Sequence, residues 1–133
     1  MKLYIASYFN TCERLRPYVR QLQDAGHIIT STWLSEPIPL GMSMEDYLTS
    51  LTPKQKLSFA QRDVGEVLQS DALILDTLDE DPRGGREVEW GAFVFDMIDE
   101  GYIVGPKRNV FHELAVEVFP TWEACVEYCK DAW

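Results

Sequence analysis

A chain of 133 residues, 46% hydrophobic and 12% aromatic, is long enough to build one domain with its own core and reads as soluble and globular, not disordered. Its formal net charge of -10 disfavours a grip on polymeric DNA or RNA, which needs clustered cations, but leaves room for one phosphate held by a helix N-terminus and a few arginines. The three cysteines (Cys12, Cys125, Cys129) have no paired spacing, no charged-then-apolar leader opens the sequence and no apolar run approaches a membrane span, so the expectation is a cytoplasmic protein without metal or cofactor.

The chain opens on "KLYIAS", an apolar run without alternation, as in a strand buried on both faces. Asn10 and Glu13 have capping-box spacing and predict a helix start, with Leu15, Val19 and Leu22 on its inner side, Pro17 after its first turn and Gly26 at its end. "HIITSTW" predicts a β-branched second strand. Residues 35–52, with two prolines and a glycine, predict a long surface excursion with a helical turn at 44–50, of the kind that forms lids or binding loops. Thr52, Pro53 and Gln55 then mark a strong helix start, followed by the apolar stripe Leu57, Ala60, Val64, Val67 and Leu68.

"DALILD" predicts a third buried strand. The loop "TLDEDPRGG" leads into a helix "REVEWGAFVFDMIDE" that Gly101 should end. "YIVG" and "VEVF" complete the strands, and Thr121 caps a last helix that carries Cys125 and Cys129 as small apolar fillers. A metal held by these two cysteines and His112 is the weaker reading. Alternation of strand and helix predicts a single-domain Rossmann-like (flavodoxin-like) α/β fold over 1–133, with a parallel sheet of four to five strands and helices on both faces.

Ligands of such sheets sit at the carboxyl ends of the strands, near a topological switch point. Two loops lie there: "SYFN" after the first strand and "TLDEDPRGG" after the third. Glu87 and Glu89 stand just beyond the second, and two residues on a helix turn by about 200°, so they cannot share a role. Val88 and Ala92 should pack inward, Gly85 and Gly91 should permit close backbone approach, and Glu87 should point toward solvent. Glu89, in the first turn of a helix and beside a glycine-lined gap, should stay ionised, which suits a carboxylate nucleophile. The plainer reading is that both glutamates decorate a helix N-terminus.

Five segments in order resemble the nucleoside 2-deoxyribosyltransferase family, which includes the 2'-deoxynucleoside 5'-monophosphate N-glycosidases. They are "LYIAS", "AGHIITSTWL", "RDVGEVLQSDALILD", "GGREVEWGAFVF" and "VGPKRNVFHEL", and together they span nearly the whole chain. The resemblance implies that Glu89 is the nucleophile toward the anomeric carbon of a deoxyribose. It implies that Tyr4 orients that glutamate, and that Asp63 contacts the sugar or protonates the departing base. Asn109 resembles an asparagine that reaches a neighbouring subunit's site. On their own merits Tyr4 is a core aromatic, Asp63 a solvated helix charge and Asn109 the cap of a short helical turn. Ser7 and Gly85, in the two switch-point loops, are further candidate substrate contacts.

One position departs from the pattern. The transferases usually carry an acidic residue six positions before the nucleophile, where this chain has Arg83. Arg83 could contact a 5'-phosphate, but the monophosphate N-glycosidases use serines for that phosphate, and "VGPKRN" has none. The implied activity is therefore cleavage or exchange of the N-glycosidic bond of a 2'-deoxynucleoside or its monophosphate, with nucleoside and nucleotide both open. The rival is a catalytically silent nucleotide-binding or interaction protein of the same fold. The segment Trp90 to Ile98 is apolar nearly all round, which predicts a homodimer or dimer-based oligomer with this helix and Asn109 near the contact.

Overall fold

The computed structural model describes residues 1–80 and 84–132. Five strands, β1 (Lys2–Ala6), β2 (Ile28–Ile29), β3 (Ala72–Asp76), β4 (Glu100–Val104) and β5 (Glu117–Phe119), form one sheet in the order β2-β1-β3-β4-β5. Every pairing is parallel, with Tyr4 opposite Leu73 and Ile74 opposite Tyr102. This is the flavodoxin-like order, and its switch point lies between β1 and β3.

The connecting helices are α1 (Cys12–Asp24), α2 (Met44–Ser50), α3 (Pro53–Leu68), α4 (Gly85–Val94) and α5 (Trp122–Ala132). Right-handed crossovers place α1 on one face of the sheet and α3 and α4 on the other. α5 packs beside α1, and α4 lies on β1, β3 and β4. All five residues of β3 are buried, which explains the unbroken apolar run "ALILD". Each Leu or Ile sunk in this way contributes about 1.5–3 kcal/mol. Cys125 and Cys129 are also buried, on α5. Among the described residues no group of His, Cys, Asp and Glu is placed to hold a metal ion, and no helix is long and apolar enough to cross a membrane.

The helix ends follow local chemistry. Thr52 and Gln55 form a reciprocal capping box at the start of α3. α1 ends in a Schellman motif: Gly26, at φ 96°, donates to the Gln23 carbonyl, and His27 donates to that of Leu22. Thr121 Oγ1 accepts from the Ala124 N–H at the start of α5.

Several local expectations are overturned. Asn10 does not cap α1: it lies in a 3-10 turn, Phe9–Thr11, held by the Thr11 N–H to the Tyr8 carbonyl. β2 has two residues only, because side chains then take over the edge of β1. The Ile5 N–H donates to Ser31 Oγ at 3.1 Å, and the Trp33 indole N–H donates to the Ile5 carbonyl at 2.8 Å. α4 stops at Val94, well before Gly101. Asp96 takes a left-handed φ of 58°, its N–H donates to Phe93 and that of Met97 to Ala92, a Schellman motif without its usual glycine. Gly101 lies within β4 instead, where a Cβ would stand 2.5 Å from the Phe93 ring.

Val88, expected to face inward, is 76% exposed, whereas Ala92 is buried. Of the α3 stripe only Val67 is buried.

Candidate active site

Beside the switch point is an open cleft of about 250 Å³. β1 leads into Ser7, Tyr8 and Phe9; α3 supplies Phe59, Arg62 and Asp63; and α4 supplies Gly85, Arg86 and Glu89. The 35–52 excursion arches over it, with Glu36, Tyr47 and Leu48 facing the interior.

Glu89 reaches the cleft from the second turn of α4. Its Oε2 is buried without a hydrogen-bond partner, and so is the Tyr4 hydroxyl beneath it on β1. The two groups are electrostatically coupled without meeting in hydrogen-bonding geometry. Burial pushes the Glu89 carboxyl up to about 8; the Tyr4 hydroxyl opposes this, and the charges of Asp63 and Glu66 add to it. Glu89 in the free protein is therefore mostly protonated at neutral pH. The expectation of an ionised group gave the helix dipole too much weight against desolvation. Burial also raises Tyr4, with the Glu89 and Asp63 charges adding.

Asp63 is raised as well, by burial first, with Arg62 opposing and Glu66 and Glu36 reinforcing. Both cleft carboxyls, Asp63 and Glu89, thus hold a proton more tightly than an exposed carboxyl would.

Of the sequence candidates, Glu89, Asp63, Ser7 and Gly85 line this one cleft, and Tyr4 abuts Glu89 from below. Ser7 Oγ is 2.8 Å from Thr11 Oγ1. A Cβ on Gly85 or Gly91 would meet nothing within 4 Å, so these glycines leave open space and do not serve close packing. Asn109 does not line the cleft. Its Oδ1 accepts from the Phe111 N–H at 2.9 Å, capping the turn, and its Nδ2 donates to Glu87. Arg83 lies outside the described residues. Glu87 keeps about a third of its side chain exposed to solvent but also binds the buried His112, a partner the sequence did not indicate.

Two arginines went unread in the sequence. Arg86, 3% exposed, donates to the Asp76 and Asp79 carbonyls and so fixes the first turn of α4 to the end of β3. Arg62 donates to Glu36 Oε2 at 2.7 Å and lies 3.1 Å from Asp63 Oδ1. A charged residue reads as surface, and partners 26 positions apart leave no local pattern. Asp76, also at the switch point, is fully engaged by Arg14, Trp122 and the Leu78 N–H.

The fold has counterparts of known structure. A 2-deoxyribosyltransferase from the psychrotolerant bacterium Bacillus psychrosaccharolyticus superposes with a TM-score of 0.73 at 17% identity, over 96% of this chain and 92% of that one. The chain shares the 2-deoxyribosyltransferase fold. A conserved protein from Enterococcus faecalis V583 matches over 100% of this chain and 99% of that one, at 15% identity and a TM-score of 0.70. The Clostridium botulinum CMP N-glycosidase BcmB matches over 100% of both chains, at 11% identity and a TM-score of 0.58. At these identities the likeness of this deoxyribosyltransferase-fold chain to all three is one of fold. No family model and no curated protein sequence matches it.

Proposed function

We propose that the chain is an enzyme that cleaves or exchanges the N-glycosidic bond of a 2'-deoxynucleoside or its 5'-monophosphate. The observation that carries this reading is one cleft in which carboxyls from two helices, Glu89 and Asp63, meet beside the buried Tyr4 hydroxyl. The named activities of two fold neighbours, deoxyribosyl transfer and CMP N-glycoside cleavage, support it.

Glu89 as carboxylate attacks the anomeric carbon. The C–N bond breaks, its electron pair leaves with the base nitrogen, and Asp63 supplies the proton that neutralises it. Water or a second base then attacks the glycosyl-Glu89 ester, Asp63 takes the acceptor's proton, and Glu89 departs as a carboxylate. Water gives hydrolysis and a base gives transfer. Tyr4 stabilises the Glu89 anion at both ends of this cycle, and burial strengthens that interaction.

The test is incubation with deoxynucleosides and their monophosphates, with free base read by chromatography. Released or exchanged base, together with a deoxyribosyl adduct on the peptide containing Glu89, is expected. Binding without any base release would instead indicate a silent nucleotide-binding protein.

A further inference from the structure

Arg62 is the only cation that touches Asp63 among the described residues, and its placement is unusually constrained. Its guanidinium lies 5.0 Å from the centroid of the Phe59 ring, one turn earlier on α3. Nε and Nη2 both approach Asp63 Oδ1, at 3.2 and 3.1 Å, while Nη1 donates to Glu36 Oε2 at 2.7 Å. Glu36 is itself held from above, where Tyr47 of α2 donates to its Oε1 at 3.2 Å. All five residues line the cleft. α2 buries none of its own residues completely, and this chain of bonds ties the covering segment to α3.

We infer that Arg62 is a positioning residue: it holds Asp63 by Oδ1, leaves Oδ2 as the oxygen for the cleft, and ties that carboxyl to the covering segment through Glu36. The inference rests on the reading of Asp63 as proton donor. An acid must present one defined oxygen to the departing nitrogen, and a free Asp rotor would present either. A two-pronged guanidinium supplies that definition where a point-charge ammonium would not. Among the described residues the charges facing Asp63 are Arg62 and Glu66 from α3, Glu36 from the covering segment and Glu89 from α4, so Arg62 is there the single neighbour that limits how tightly Asp63 keeps its proton. An open covering segment would free Glu36 from Arg62 and leave the guanidinium to Asp63 alone. The contact of the covering segment and the setting of the acid are thereby linked through one guanidinium.

Two measurements test this on the whole chain. The first follows the Asp63 carboxyl carbon by NMR through a pH titration and needs no turnover. In Arg62→Gln the midpoint should move to higher pH, and in Glu36→Gln to lower pH, because a raising charge is lost and Arg62 is released to Asp63. An unchanged Asp63 midpoint in Arg62→Gln overturns the inference whatever the enzyme's activity. The second is kinetic: Arg62→Gln should lower kcat by roughly tenfold to a hundredfold with little change in KM. Arg62→Lys, which keeps the charge if the glutamine variant folds poorly, should hold the midpoint near wild type yet recover only part of kcat. Full recovery by lysine would mean charge alone suffices and the two-pronged grip is wrong. A wild type without base release would defeat the proposed activity, and the NMR result would still decide the position of Asp63.

Discussion

Glu87, half-buried, and His112, fully buried, form a latch on the opposite side of α4 from Glu89. His112 Nε2 lies 2.9 and 3.0 Å from the two carboxylate oxygens of Glu87. His112 Nδ1 accepts from the Arg108 N–H at 2.9 Å, which makes Nε2 the protonated nitrogen that donates to Glu87. With Arg86 bound to the end of β3, the first turn of α4 is fastened on two sides, and Glu89 follows directly behind it.

The two glutamates should therefore separate cleanly on substitution. Glu87→Gln keeps an acceptor for His112 and is expected to leave turnover within a few-fold. Glu87→Leu strands the buried Nε2–H and should cost about 1–3 kcal/mol of stability, read by thermal unfolding. Glu89→Gln should lower turnover by orders of magnitude, as loss of a covalent step does. Equal losses of turnover in Glu87→Gln and Glu89→Gln would reject the division of roles.

Glu89 also governs how stability varies with pH. Its folded pKa, about 8, lies above the ordinary 4.5, so the folded state holds its proton more tightly than the unfolded chain. That contribution is fully present below about pH 4.5 and is lost as pH rises through about 8. Glu89→Gln removes the ionisation and should melt higher than wild type at pH 9, by roughly 3 °C or more, with the gap closing toward pH 5. A variant that gains stability while losing turnover identifies a group held against its own preference for function. A Glu89→Gln variant that melts lower than wild type at pH 9 would mean the carboxylate is better solvated than its burial implies.

The pH dependence of kcat/KM follows from the same group. The productive form of the Glu89–Asp63 pair carries one proton, and the two apparent pKa values belong to the pair. Loss of the last proton is the upper step, near 8, so kcat/KM should fall above about pH 8. It should also fall in acid, where both carboxyls are protonated. A profile still rising at pH 9 would show that no proton donor is needed from this pair.

The sheet was legible because strands buried on both faces leave unbroken apolar runs, and "ALILD" occupies β3 with no residue exposed. The start of α3 was legible because its capping box is complete within four residues. Signals failed where a competing local conformation displaced the expected one, or where the partner lay far along the chain. Asn10 had the spacing of a cap, but the 3-10 turn at Phe9–Thr11 claimed the backbone first. Asp96 ended α4 in a conformation usually reserved for glycine. The cleft carboxyls were legible from the family resemblance. Their supports, Arg62–Glu36 and Glu87–His112, join residues 26 and 25 positions apart and leave no trace in any periodicity.

The outer side of α3 and α4 bears on assembly. The two helices enclose a groove of about 680 Å³, lined by Val64 and Leu68 of α3, Val88 of α4, and Phe95 and Met97 of the turn that follows. Phe95 is 78% exposed, and the covering segment lies over the cleft and not over this face. A contiguous apolar surface of this kind needs a matching apolar surface to cover it. A second copy presenting the same face meets that need by two-fold symmetry. The groove shares Asp63, Gly85 and Glu89 with the cleft, so a partner docked there would stand at the cleft's edge and help to exclude water from it. We therefore expect a dimer at micromolar concentration by sedimentation. Val88→Asp should shift it to monomer, since a charge on each copy would be buried unpaired, and turnover should fall with dissociation and return as protein concentration is raised. A wild-type species near the 15.3 kDa of one chain, with full turnover, would show that the cleft works without a partner.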